Sequence, residues 1–152
     1  MKKTIAIGCD HGGFSLKEEL AAYLRRRGWR VKDVGTFSAA SMDYPDTAAQ
    51  VARSVGTGRA GRGILICKSG IGNSIAANKI KGVRAALCYN LKAARLSRRH
   101  NDANVLVLGA LFVDAGTAKR ICLAWLTTDF EGGRHRRRLK KIERIERRCV
   151  RA

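Results

Sequence analysis

From Thr4 onward the chain alternates short apolar runs with amphipathic stretches, and this alternation restricts the fold more than any single motif does. Strands are predicted at Thr4–Cys9, Arg30–Val34, Gly63–Cys67, Val83–Cys88 and Val105–Leu108. Helices are predicted at Ser15–Arg27, Pro45–Val55, Asn73–Lys79, Leu91–Arg98, Asp114–Thr127 and Arg136–Cys149. In the first helix Leu16, Leu20, Tyr23 and Leu24 fall on one face with charges opposite, the pattern of a helix lying on a sheet. Gly28, just past Arg27, reads as its stop. Strict βα alternation predicts a parallel sheet with right-handed crossovers and helices on both faces. The expected fold is therefore α/β, a Rossmann-like, doubly wound five-stranded parallel sheet with an extra C-terminal helix. No repeat, low-complexity segment or linker interrupts the pattern, so residues 1–152 are read as one domain.

Open α/β sheets place their chemistry at the carboxyl ends of the strands. The segment Gly63–Lys79, GILICKSGIGNSIAANK, is a buried strand, a cysteine, a small glycine-containing loop and a helix start. The loop Ser69-Gly70-Ile71-Gly72-Asn73-Ser74 offers backbone N–H groups at a helix N-terminus, a natural anion cradle. Cys67 lies beside that positive end and next to Lys68, and both features are expected to lower its pKa and favour the thiolate. Two readings of Cys67 stand at this point: a core cysteine after an apolar strand, or a reactive sulfur. The loop is not a Walker motif, because Gly-x4-Gly-Lys-Ser/Thr is missing. Nor is it a full GxGxxG, because Ile75 stands at the third glycine. Asn73 occupies the arginine position of the C-x5-R loop of thiol phosphatases, which turns the reading of Cys67 from nucleophile towards base.

No apolar run approaches the roughly 20 residues of a membrane span. The opening Met1-Lys2-Lys3-Thr4 runs straight into a strand too brief for a signal-peptide core. Five cysteines without a CxxC, four of them in apolar segments, fit a reduced, cytoplasmic protein. The formal charge is +19, and residues Arg134 to Arg151 alone carry +8. Such a charge attracts anions, either phosphorylated metabolites or nucleic acid. With nine aromatic residues and no RNA-binding aromatic motif, a solvated basic surface accounts for the charge better than nucleic-acid binding does.

The three histidines sit in suggestive places. His11 follows Cys9-Asp10 at the first strand's end, before Gly12-Gly13. His100 precedes Asn101-Asp102 and reads as lying in a loop after a helix. His135 closes Glu131-Gly132-Gly133-Arg134-His135. Asp10 either orients a histidine or caps the following helix. In the last helix Leu139, Ile142, Ile145 and Cys149 form a narrow apolar stripe, which suits packing on a partner subunit. HxxxH and CxxC are both absent, and no metal site is expected.

Six motifs occur in order: Cys9-Asp10-His11-Gly12-Gly13-Phe14; Asp43-Tyr44-Pro45; the Cys67 loop; Ser74 to Lys79; His100-Asn101-Asp102-Ala103-Asn104-Val105-Leu106; and Phe130-Glu131-Gly132-Gly133-Arg134-His135. Together they resemble the ribose-5-phosphate isomerase B / galactose-6-phosphate isomerase family, over nearly the whole chain. The resemblance implies aldose–ketose isomerisation of a phosphorylated sugar through a cis-enediolate, without a cofactor. It implies Cys67 as the base for the C2 proton, because Asn73-Ser74-Ile75 lacks the glutamate of the family's other branch. It implies His100, with Asp10 nearby, for ring opening, and Ser69 as a proton relay or hydroxyl holder. The enediolate oxygens fall to the N–H groups of Gly70, Ile71, Gly72, Asn73 and Ser74, assisted by Asn101. Tyr44 lines the pocket, and His11, Arg134 and Arg138 anchor the phosphate. The pattern departs at Lys68, where the family has glycine, and at Leu111, where many members carry an arginine. A homodimer or a dimer of dimers is expected, with the C-terminal arginines reaching across. Ribose 5-phosphate is the expected substrate; a hexose 6-phosphate such as allose or galactose 6-phosphate is the first alternative. A non-catalytic, basic RNA- or regulator-binding homologue is the alternative from another class.

Overall fold

A computed structural model describes residues 4–149. The opening Met1-Lys2-Lys3 and the closing Val150-Arg151-Ala152 belong to the expected single domain but lie outside the described residues. Five strands, β1 (Ile5–Cys9), β2 (Val31–Asp33), β3 (Arg62–Cys67), β4 (Ala85–Leu87) and β5 (Val105–Gly109), form one sheet in the order β2-β1-β3-β5-β4. Every pairing is parallel. Six helices accompany it: α1 (Phe14–Arg26), α2 (Tyr44–Gly56), α3 (Ile71–Ala77), α4 (Leu91–Asn101), α5 (Ala115–Thr127) and α6 (Gly133–Cys149). Among the described residues no helix is long and apolar enough to cross a membrane.

The period-two alternation of strand side chains divides the interior into two cores. Ile5, Ile7, Ile64, Ile66, Leu106 and Leu108 face α1, α4 and α5, packing with Leu20, Leu24, Ala94, Ile121 and Trp125. Ala6, Leu65, Val105 and Val107 face α2 and α3, packing with Ala48, Val51, Ala52, Val55 and Ala77. The chain leaving β3 thus turns to one face, while the chains leaving β1 and β5, its two neighbours, turn to the other. That divergence opens a crevice at the carboxyl end of β3, where Cys67 sits.

The sequence-based boundaries of the elements shift by one to three residues, for local reasons. The largest change with functional weight is in α4. Its end is not at Arg98: the helix runs through His100 to Asn101 and stops where Asp102 adopts a left-handed φ of 45°. His100 is therefore a residue of the last helical turn, not of a loop. Arg98 supports this extension, with Nη1 bonded to Asp102 Oδ1 at 2.7 Å and to the Ala103 carbonyl at 2.6 Å. Asn90 caps the other end by accepting the Ala93 N–H at 2.8 Å.

Candidate active site

The end of β3 is tied into its surroundings on every side. The Ala110 N–H donates to the Cys67 carbonyl at 2.8 Å and the Leu111 N–H to the Lys68 carbonyl at 3.0 Å. The Tyr89 hydroxyl donates to the Ser69 carbonyl at 3.0 Å, and its ring rests against Phe112 with centroids 4.9 Å apart. Tyr89 was not singled out in the sequence, because an isolated tyrosine after a short strand carries no local signal.

Within this frame Gly70 holds a φ of +83°, which starts α3 abruptly and turns its own N–H onto the Cys67 Sγ at 3.1 Å. The Ile71 N–H donates to Ser69 Oγ at 3.2 Å. Gly72 and Asn73 follow in the first helical turn, whose N–H groups point out of the helix. Ser74 does not join the cradle as expected: its N–H is spent on the Gly70 carbonyl at 3.0 Å, because α3 starts at Ile71 rather than Asn73. Asn73 is only 1% exposed, yet neither polar atom of its side chain has a partner within the chain. Two such atoms in a dry setting mark a place where a polar group is wanted.

The thiol of Cys67 corrects a second expectation. Burial pushes its pKa up, against the N–H groups of Gly70, Asn73 and Ser69, which pull it down; the Asp10 carboxylate adds to the rise. The helix terminus acts in the expected direction, but removal of the sulfur from water outweighs it.

Asp10 and His11 reach the same crevice from β1. Asp10 is buried and its Oδ1 accepts the Gly13 N–H at 3.1 Å, capping a short turn over His11–Gly13. His11 Nδ1 accepts the Met42 N–H at 3.2 Å, which leaves Nε2 as the protonated, donating nitrogen of the neutral ring. Tyr44, at the start of α2, closes against the cradle: a Cβ on Gly72 would sit 2.5 Å from its Cζ. Lys68 runs along the turn after β1, where a Cβ on Gly12 would sit 2.5 Å from its Cγ. Cys67, Ser69, Gly70, Ile71, Gly72, Asn73, Asp10, His11 and Tyr44 thus share one end of the sheet.

His100, Asn101, Arg134 and Arg138 do not. β5 begins at Val105, paired with Gly63 at the amino-terminal edge, and ends at Gly109, paired with Cys67. His100 and Asn101 precede β5 and so belong to the opposite edge, about 13 Å away along the strands. The expected nearness of Asp10 to His100 therefore does not hold within one chain. The physical reason is that α4 runs antiparallel to the strands, so its last turn reaches their starting edge. There the His100 ring stacks on that of His135, centroids 4.2 Å apart and planes 9° from parallel. Glu131 Oε2 stands 3.7 Å from His100 Nε2 and 3.6 Å from His135 Nε2, while Arg99 pairs with the other carboxylate oxygen. These three side chains are numerous enough for a metal, with ligand atoms within 4.8 Å of one another. Stacked imidazoles, however, aim their in-plane lone pairs along parallel directions, which do not converge on one ion. Glu131 and His135 received no role from the sequence; their one-turn spacing beside Arg134 was the available signal.

Arg134 and Arg138 are exposed on successive turns of α6. Only the beginning of that helix packs down, through His135 and Leu139. Ile142 and Ile145 are exposed, so most of the apolar stripe has no cover from its own domain. The Gly82 N–H, donating to Glu146 Oε1 at 2.8 Å, holds this end of the helix above a cavity of about 620 Å³ lined by Val83, Ala85 and Ala86 of the β4 edge.

The chain has known relatives. The chain matches the Ribose/Galactose Isomerase family over residues 5–142. It belongs to that family. Ribose-5-phosphate isomerase B of Escherichia coli is 51% identical over 146 residues, covering 96% of this chain and 98% of that protein. Among solved structures, ribose-5-phosphate isomerase B of Clostridium thermocellum superposes with a TM-score of 0.94 at 50% identity, covering 95% of this chain and 98% of that one. That of Mycoplasma genitalium, with bound ribulose-5-phosphate, gives 0.91 at 43% identity, covering 95% and 96%. Family membership agrees with the five-stranded sheet, and the six quoted motifs fall within the matched residues 5–142.

Proposed function

We propose that this chain interconverts ribose 5-phosphate and ribulose 5-phosphate. The observation that carries the reading is Cys67: a buried sulfur that accepts the Gly70 N–H, at the foot of a backbone cradle flanked by Asp10, His11 and Tyr44. The relatives named ribose-5-phosphate isomerase B, one with ribulose-5-phosphate bound, support the same substrate.

In this reading His100 moves a proton to open the sugar ring. The Cys67 thiolate then takes the C2 proton. The C2–H pair becomes the C1=C2 bond, and the carbonyl pair moves onto O1, which takes up a proton. Loss of the O2 proton, returned through Ser69, restores a carbonyl at C2 while the Cys67 thiol delivers its proton to C1. Developing negative charge on the oxygens meets the N–H groups of Gly72 and Asn73; one preorganised donor of this kind contributes about 3–4 kcal/mol. His11 Nε2–H, Arg134 and Arg138 hold the phosphate. No step calls for a metal or an organic cofactor.

Because His100, Asn101, Arg134 and Arg138 sit on the far edge, the reading requires two copies, each lending that edge to the other's Cys67 crevice. The uncovered stripe of Ile142 and Ile145 supports a homodimer. A cytoplasmic setting fits the five free thiols.

The test is proton NMR with ribose 5-phosphate in D2O, beside allose and galactose 6-phosphates. Conversion of ribose 5-phosphate with solvent deuterium appearing at C1 is expected; conversion of a hexose phosphate alone transfers the mechanism to that sugar. Sharing is tested by mixing Cys67→Ala with His100→Asn, each inactive alone. Random exchange of protomers restores about a quarter of wild-type activity, since half the dimers are mixed and each has one intact site. No recovery, with exchange verified, contradicts the shared site.

A further inference from the structure

The cluster at the far edge contains more than His100. Stacking on His135 fixes the plane of the His100 ring, and Glu131 sets one of its edges against a carboxylate. His135 is buried, its Nε2 has no hydrogen-bond partner, and its side chain is 7% exposed against 35% for His100. Two imidazolium rings stacked at this distance would repel each other, so the stack disfavours charging both rings at once. Burial, then the charges of His100, Arg134 and Arg138, lower the pKa of His135, opposed only by Glu131.

We propose that Glu131 is a positioning residue for His100, with its carboxylate facing the Nε2 edge of the ring and leaving Nδ1 to exchange a proton with the substrate. At 3.7 Å the contact is longer than a formed hydrogen bond and acts through charge. The charged groups around His100 come from three elements. Arg99 on α4 occupies the other Glu131 oxygen. His135, Arg134 and Arg138 come from α6. Arg84, before β4, donates to the Asn101 carbonyl at 3.0 Å and pairs with Asp102, which also holds Arg98. In this setting Glu131 is the carboxylate that faces the ring. The Glu131 N–H, donating to the Arg99 carbonyl at 3.0 Å, anchors it to the same helical turn as His100. The catalytic value of the device rests on the proposed ring-opening role of His100; the device itself does not.

The experiment follows the His100 ring by NMR across pH in the full-length protein, alongside the pH–rate profile with ribose 5-phosphate. Glu131→Gln keeps the shape and removes the charge, so His100 should take its proton at lower pH, with turnover of the cyclic sugar falling about threefold to tenfold and KM little changed. His135→Phe keeps the stacked ring and deletes a buried, unpartnered nitrogen, so folding is preserved. It frees Glu131 for His100 and should move the ring's protonation to higher pH. Opposite signs in two variants are not produced by loosened packing. If the His100 resonance moves as stated while the rate profile stays fixed, the positioning stands and ring opening by His100 falls. An unmoved His100 resonance in Glu131→Gln overturns the proposal, and Glu131→Asp, which retains the charge, decides the case if the glutamine variant does not fold.

Discussion

Gly70→Ala tests whether the cradle depends on the backbone shape at one residue. Two costs add at this position. At a φ of +83° an alanine is in the left-handed region, which costs roughly 1–2 kcal/mol. The added methyl also falls inside van der Waals contact with Leu87 Cδ1 and 3.2 Å from both the carbonyl carbon and oxygen of Leu108. Leu87 can rotate away, but Leu108 is central β5 backbone and cannot, so overpacking adds about 1–3 kcal/mol. The total, about 2–5 kcal/mol, lowers the melting temperature by on the order of 10 °C in a chain of this length. The same shift moves the Gly70 N–H off Cys67 and turns the first turn of α3, so loss of one donor alignment reduces kcat by about 10²–10³. Gly58→Ala is the control: its φ is +76°, with nothing within 4 Å of the new methyl. It carries the backbone cost alone, about 1 kcal/mol, and leaves turnover intact. Thermal melts and steady-state kinetics on both variants settle the matter. If Gly70→Ala melts no lower than Gly58→Ala and keeps its kcat, the argument from close approach is wrong.

Three further outcomes are expected. Cys67→Ala should bind the sugar phosphate by calorimetry and lose deuterium exchange at the substrate carbon; near-normal turnover would show that the base lies elsewhere. Stability should decline as pH rises above 9. Burial pushes Cys9 and Cys88 up to about 11 and Cys122 up to about 12, so the unfolded chain ionises these thiols first and each rise in pH from 9 towards 11–12 favours unfolding. Melts of wild type against Cys122→Val between pH 8 and about 11 read this directly, and equal slopes would count against it. Asn78→Ala should cost about 1–3 kcal/mol in urea melts, because its amide donates to the Ser74 and Ala85 carbonyls at 2.9 and 3.0 Å and accepts the Ala85 N–H at 2.9 Å. A midpoint unchanged by this substitution would show that β4 does not rely on the contact.

The order of strands and helices was legible because each amphipathic stretch had an apolar face to bury and nowhere to bury it but a sheet. The Cys67 crevice was legible for the same reason: cysteine, glycines and a helix start within eight residues fix a turn whatever surrounds it. The sign of the Cys67 shift was not legible. It depends on how deeply the folded chain removes the sulfur from water, and burial is a property of the whole domain. Ser74 was misplaced because a two-residue change in where α3 begins decides which N–H groups are free. His100 was misplaced in kind: its motif could be read, but the edge of the sheet it occupies follows from the direction of α4.

That edge has a consequence for the basic surface. In one chain the sulfur is separated from Arg134 and Arg138 by the height of the sheet, so within a single copy those guanidinium groups lie far from the crevice. A partner's α6 would bring Arg134 and Arg138 to an opening already lined by a partly desolvated thiol. Their positive charge then acts on Cys67 only in the assembled pair, and it favours the thiolate that burial alone disfavours. In the proposed dimer, association and activation of the proposed base are then expected to be one event. The measurement is alkylation of Cys67 by iodoacetamide at fixed pH across a dilution series through the dimer dissociation range. The rate per thiolate is insensitive to concentration, so a slower reaction in the dissociated chain, despite its greater exposure, is the expected sign. Faster alkylation on dilution would show that the partner shields the sulfur without activating it.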